Sequence, residues 1–259
     1  MSAVPVRAGW LPRLWRDPRH VSLAVTVALF VAMSVAGGVL YDGFLSPQVF
    51  LNLLIDNAFL LIVAVGMTFV ILTGGIDLSV GAVVAFSTVL LASLVQHHGW
   101  HPLAAIALVL ALGTAFGAAM GVMIQRYRLP PFGVTLAGMF LARGAATLVR
   151  VYALSGFCSA LAGVVYTFYM LSGYSLHGNG LELDAIAAVV IGGTLLAGGS
   201  GYVLGTLVGV LVLGLIQTLI VFDGSLSSWW TRIAIGALLL VFCVLQRLLL
   251  RTSQRRQAG

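Results

Sequence analysis

A carboxylate, three hydroxyls and a pair of glycines interrupt an otherwise apolar stretch between Gly66 and Gly81. A carboxylate in the hydrocarbon region of a bilayer costs about 2.5–3.5 kcal/mol on insertion scales, so it needs a partner, water or a bundle interior. Adjacent glycines let a helix break, which is tolerated at membrane depth only where protein or a water-filled cavity surrounds the freed backbone groups. The stretch therefore predicts part of a path through a membrane. Its path residues are Thr73, Gly74, Gly75, Asp77 and Ser79.

A second glycine-rich interruption lies in the other half of the chain, at Gly192, Gly193 and Thr194, with two more glycines at 198–199. Paired broken segments in the two halves of a transporter point to its translocation site. We therefore predict that both interruptions line one path. A simpler reading of Asp77, compatible with the first, makes it the N-cap of the next helix.

The composition indicates an all-α, polytopic transmembrane helical bundle formed as a single domain over residues 1–259. Hydrophobic residues make up 61% of the chain and charged residues 8%, whereas soluble domains carry about 25% charged residues. The mean hydropathy is +1.11. All 13 basic residues are arginines that sit near span ends, so they indicate membrane topology rather than nucleic-acid binding.

Eight or nine hydrophobic segments have lengths near the roughly 20 residues that cross a bilayer. Glycines four residues apart, at 113, 117 and 121 and at 201, 205 and 209, predict close helix contacts. The predicted segments are 21–40, 50–72, 79–96, 102–124, 132–149, 151–171, 185–199, 201–221 and 231–249.

Arginine clusters predict that both termini and the loop at Arg126 and Arg128 are cytoplasmic. Four segments between the N-terminus and that loop satisfy this topology, but the five that follow do not, because an odd number of crossings cannot return to the same side. The join between Arg150 and Val151 has no turn residues, although bundle connections usually take about 2–8 residues. Either a span is missing or one segment does not cross.

The chain resembles the permease subunits of bacterial ABC importers for monosaccharides, the ribose, xylose and galactofuranose group, and most of all a galactofuranose-type permease. The resemblance covers nearly the whole chain and includes Leu-Thr-Gly-Gly-Ile-Asp-Leu-Ser at 72–79, Leu-Pro-Pro-Phe at 129–132, Tyr-Ala-Leu-Ser-Gly at 152–156 and Val-Val-Ile-Gly-Gly-Thr at 189–194. It implies a permease in the bacterial inner membrane that performs no covalent chemistry. Its implied partners are a periplasmic sugar-binding protein, a second permease subunit, membrane lipid and a cytoplasmic ATPase, which holds the ATP while this chain holds no cofactor.

Family members typically have about ten spans and a cytoplasmic segment between the halves, with a Tyr-Ala-x-Gly-Gly-Asn sequence, that is expected to dock the ATPase. This chain lacks that segment. The gap falls at the same join, so we predict an internal deletion at 150/151. The alternative to a working permease is a non-transporting remnant or assembly subunit without the coupling segment.

Three polar residues, Asn179, Glu182 and Asp184, are predicted in or beside an outward loop, where the acids would cap the next helix or meet the binding protein. The histidines at 97, 98 and 101 lie in a loop beside Pro102 and indicate no zinc site.

Two rival functions fit the sequence less well. An intramembrane aspartyl protease needs a Gly-x-Gly-Asp motif that the chain lacks, and an ion-driven transporter needs more titratable groups than Asp56 and Asp77.

Overall fold

The computed structural model describes residues 18–127, 145–174, 178–196, 198–224 and 229–257, and all of their regular structure is helical. This confirms the predicted all-α class. The helices are α1 (Pro18–Leu40), α2 (Pro47–Asp56), α3 (Ala58–Leu72), α4 (Val80–Gln96), α5 (Pro102–Tyr127), α6 (Ala145–Met170), α7 (Leu181–Ile191), α8 (Val203–Asp223) and α9 (Trp229–Gln257).

Four helices of the described regions are long and apolar enough to cross a membrane, and their spans are Ser22–Leu40, Pro102–Val122, Arg150–Met170 and Val203–Asp223. Helices α2 and α3 make a fifth span if they are counted together, although they meet at a 55° bend. Asn57 occupies the bend and donates from its side-chain amide to the Leu53 carbonyl, at 2.8 Å. The chain is therefore a polytopic helical membrane protein, as its composition predicts.

The predicted segments differ from the structure at the join of residues 150 and 151 and within 185–199. Helix α6 passes through Arg150 and Val151 without a break, so the expected boundary between segments 132–149 and 151–171 is wrong; residues 132–144 lie outside the described regions. The predicted segment 185–199 is not one helix either, because α7 ends at Ile191. Gly193 follows with a φ of 95°, a left-handed conformation that ends the helix and suits glycine.

Close packing between neighbouring helices depends on the glycine stripes that the sequence predicts. A Cβ atom at Gly117 of α5 would meet the Tyr152 carbonyl oxygen and, at 3.0 Å, the Gly156 Cα of α6. A Cβ at Gly209 of α8 would meet the Ala188 carbonyl of α7. Both stripes therefore lie at helix contacts, where small residues allow the backbones to approach.

Gly173 and Gly178, which lie between α6 and α7, both pack against α4. A Cβ at Gly173 would lie 2.7 Å from the Thr88 carbonyl, and a Cβ at Gly178 would lie 2.9 Å from the Gly81 carbonyl. Thr88 and Gly81 are seven residues apart, or about 10 Å along a helix. Helix α7 therefore begins beside the first turn of α4.

The contact between α5 and α6 can be tested with Gly117→Ala, whose new methyl group would collide with fixed backbone. Overpacking of this kind typically costs about 1–3 kcal/mol, so we expect a lower melting midpoint in detergent. The control is Gly236→Ala in α9, because a Cβ there has nothing within 4 Å; it should be neutral or slightly stabilising. Equal melting midpoints for the two variants would contradict the packing described here.

Candidate translocation site

The Asp77 carboxylate is only 3% exposed, and three hydrogen bonds satisfy it. One oxygen accepts from the Ser79 backbone N–H at 3.0 Å and from the Ser79 hydroxyl at 2.6 Å. The other accepts from the Ser155 hydroxyl of α6 at 2.6 Å. Hydrogen bonds to an ionised group are stronger than neutral ones. The carboxylate therefore ties the break between α3 and α4 to α6.

The structure places Asp77 outside the N-cap position of α4. The cap is Ser79, which makes no side-chain capping bond, and Asp77 lies two residues earlier. The N-cap prediction is therefore wrong in position, because the short Asp side chain bonds the backbone two residues on and forms a local turn. Ser79 serves as a donor to this turn.

Polar groups of the first break also stabilise the end of α3. The Thr73 hydroxyl donates to the Val70 carbonyl at 2.7 Å, so it stabilises the helix end. Gly74 follows with a φ of 79°. A Cβ at Gly75 would lie 2.7 Å from the Tyr152 hydroxyl oxygen. The residues from Thr73 to Ser79 thus form a compact turn that packs against α6.

The second break is likewise a compact turn that packs against a neighbouring helix. Gly192 packs against Gly205 of α8, and the buried Thr194 packs against Gly201. The Leu195 N–H donates to the Ser200 carbonyl at 2.9 Å, which closes the turn.

The two breaks are in direct contact. The Gly199 N–H donates to the Leu72 carbonyl at 2.9 Å, and a Cβ at Gly198 would lie 2.8 Å from the Gly74 nitrogen. One turn away, the buried hydroxyls of Thr68 and Thr206 are 2.7 Å apart. The structure thus brings the two predicted groups of path residues together, and a solute can pass between them only if they separate.

The predicted outward-loop residues lie at the start of α7. Its N-cap is Gly180, with a φ of 84° and no side-chain capping bond, so the prediction that the acids cap this helix is wrong. Glu182 and Asp184 lie in the first turn instead, where negative charge suits the helix dipole. Asn179 is exposed.

Glu182 and Gly180 are both in contact with neighbouring helices. A Cβ at Gly81 would meet a Glu182 carboxylate oxygen, and a Cβ at Gly180 would lie 3.1 Å from a guanidinium nitrogen of Arg232. Glu182 is therefore packed against the first turn of α4, and Gly180 lies beside Arg232 of α9.

Sequence reasoning missed Ser155 and Tyr152 as site residues and used them only as part of a family motif. Both are 1% exposed, and they are three residues apart, on one face of α6. Polar side chains on one face of an apolar helix were the available signal. No group of three metal-binding side chains occurs within the described regions.

Discontinuous helices that meet inside an apolar bundle are a feature of membrane transporters. The sequence model of a family described as the permease component of branched-chain amino acid transport systems matches residues 49–152 and 145–243. The chain belongs to this permease family.

Curated relatives agree with the predicted resemblance to monosaccharide ABC permeases and confirm it. The chain is 42% identical to the inner membrane ABC transporter permease protein YjfF of Escherichia coli K12, over 93% of this chain and 96% of the relative. It is 31% identical to the fructose import permease FruG of Bifidobacterium longum, over 89% and 92%. It is 32% identical to the ribose import permease RbsC of Bacillus subtilis, over 91% and 95%. No solved structure matches the chain.

The chain lacks an internal part of its relatives. The YjfF alignment runs over 318 residues, whereas 93% of the 259 residues of this chain is about 241. About 77 aligned positions therefore have no counterpart here. The two stretches that match the family meet and overlap at residues 145–152.

Removal of the carboxylate tests the role of Asp77. In Asp77→Ala the Ser155 hydroxyl and the Ser79 N–H lose a buried acceptor, which typically costs about 1–3 kcal/mol. We expect near-normal membrane insertion, a lower melting midpoint and loss of most solute uptake. Asp42→Ala, at an exposed turn residue between α1 and α2, is the control. Full uptake by Asp77→Ala would remove this carboxylate from the path.

Substitutions at two adjacent glycines distinguish the effect of the contact between the breaks from the effect of backbone strain. Gly198 and Gly199 have φ values of 84° and 80°, so an alanine is strained at either position. A Cβ at Gly198 would collide with Gly74, whereas nothing lies within 4 Å of a Cβ at Gly199. We expect Gly198→Ala to reduce both melting midpoint and uptake more than Gly199→Ala does. Equal effects in the two variants would show that strain alone is responsible.

Proposed function

We propose that this chain is the membrane-spanning permease subunit of an ATP-driven importer, and that a monosaccharide crosses the bacterial inner membrane between its two broken segments. The observation that carries the proposal is the contact between the breaks, through the Gly199 N–H and the Leu72 carbonyl. Membership of the permease family and the names of the ribose and fructose permeases among the relatives support it. A galactofuranose-type substrate stays a prediction.

The side chains around the crossing, which is the place where the two breaks are in contact, suit a sugar. Passage requires hydrogen-bonding partners for sugar hydroxyls, but a site that binds too tightly would stop release. The buried polar groups here are mainly neutral hydroxyls, and a neutral hydrogen bond contributes only about 0.5–1.5 kcal/mol net. The hydroxyl-bearing residues near the crossing are Ser22, Thr26, Thr68, Thr194 and Thr206, all at most 5% exposed.

The family relationship also supports the partners. A cytoplasmic ATPase would supply the energy, a periplasmic sugar-binding protein would deliver the substrate, and a second permease subunit, identical or different, would complete the path. Cytoplasmic termini follow from the arginine clusters. This chain then performs alternating access and no covalent reaction.

A non-transporting remnant is the second candidate, and the missing internal segment favours it. The overlap of the two family matches at residues 145–152 coincides with the predicted deletion at 150/151. In related permeases the segment between the halves is the expected docking element for the ATPase. A chain without it would insert and pair with a second permease, but ATP hydrolysis would not move it.

Co-purification with a cytoplasmic ABC ATPase, the proposed partner, separates the two candidates. We expect the tagged chain to retain the ATPase in detergent and to support uptake of a radiolabelled monosaccharide in cells that express the whole system. YjfF with its own ATPase is the positive control. A well-inserted chain that retains no ATPase and imports no sugar would contradict the assignment as a working permease. That result would support the non-transporting remnant.

A further inference from the structure

The Tyr152 hydroxyl is a buried polar group without a hydrogen-bond partner among the described residues. Its residue is 1% exposed and lies near the start of α6. A buried tyrosine hydroxyl usually finds a partner, and an unpaired one opposes folding. The presence of this hydroxyl therefore points to a role in function and not in stability.

This hydroxyl is aimed at the first break. It lies 2.7 Å from the position that a Cβ of Gly75 would occupy, so the glycine makes room for it. Asp77 follows two residues later, and Ser155, its partner, is one turn along α6 from Tyr152. The phenol thus lies beside the path residues of the first break.

The backbone that carries Tyr152 is held firmly. Gly117 of α5 packs against the Tyr152 carbonyl, and Gly156 packs against Gly117. These contacts join backbone to backbone, so α6 has little freedom to shift relative to α5. The Asp77–Ser155 hydrogen bond holds the turn of the first break to the same helix, so this turn and Tyr152 stay together as one wall when the two breaks separate. Gly75 has no side chain to cover the hydroxyl on that wall.

We propose that Tyr152 is a specificity-determining residue of the path, whose hydroxyl forms a hydrogen bond with one hydroxyl of the sugar once the breaks separate. The inference rests on the proposed function. A phenol hydroxyl both donates and accepts, as a sugar hydroxyl does, so the pair is complementary. The bond is single and neutral, and it allows the sugar to leave.

The test is Tyr152→Phe in the complete transport system, with Tyr166→Phe on the same helix as the control. Tyr166 packs its ring on Phe59, with centroids 4.5 Å apart, away from the breaks. Loss of the unpaired hydroxyl should leave the melting midpoint of the permease unchanged or raise it. The KM for uptake of the transported monosaccharide should rise about five- to tenfold, whereas Tyr166→Phe should leave it unchanged.

Deoxy analogues of the transported sugar identify which sugar hydroxyl binds Tyr152. For one deoxy analogue of the transported sugar, wild type and Tyr152→Phe should have the same KM, because neither can form the bond. Equal KM values for the parent sugar in wild type and Tyr152→Phe would overturn the inference and leave the proposed function intact. A wild-type chain that imports none of the tested monosaccharides would overturn both.

Discussion

A buried carboxylate at a break in a membrane helix is the constraint on which this structure depends. Asp77 is stable there because Ser79 and Ser155 supply three donors. The Ser155 bond requires α6 to lie close to the end of α3, and Gly66 allows that approach, since a Cβ there would lie 2.8 Å from the Cys158 Cβ. The glycine contacts and the satisfied carboxylate are thus two parts of one arrangement.

The same constraint governs the backbone at the crossing. A helix that ends at membrane depth leaves carbonyl groups that only protein or water can satisfy. The Leu72 carbonyl is satisfied by the Gly199 N–H of the other break, so each break helps to stabilise the other. Separation of the breaks must therefore replace this bond, with water or with a polar solute. A sugar is suited to that exchange, because its hydroxyl groups both donate and accept.

Much of this architecture was predictable from the sequence. Apolar segments and glycine spacing predict the bundle and its close helix contacts, and the glycine pairs at 74–75 and 192–193 predict two breaks. The helix ends were not predictable, because Gly180 ends up as the N-cap of α7 although acidic side chains follow it. The partnership of Asp77 with Ser155 joins residues 78 positions apart, and only the packing of α6 on α3 and α4 creates it. Helix α6 is also continuous at residues 150 and 151, where segment lengths suggested a boundary.

A reversible crosslink across the crossing tests the central claim most directly. The Thr68 and Thr206 hydroxyls are 2.7 Å apart, so Thr68→Cys and Thr206→Cys place two thiols in reach of each other. Alanine would replace the native cysteines Cys158 and Cys243. We predict that mild oxidation in native membranes protects both thiols from maleimide, stops monosaccharide uptake, and is reversed by dithiothreitol. Complete protection with undiminished uptake, or no crosslink in the folded protein, would contradict a path between the two breaks.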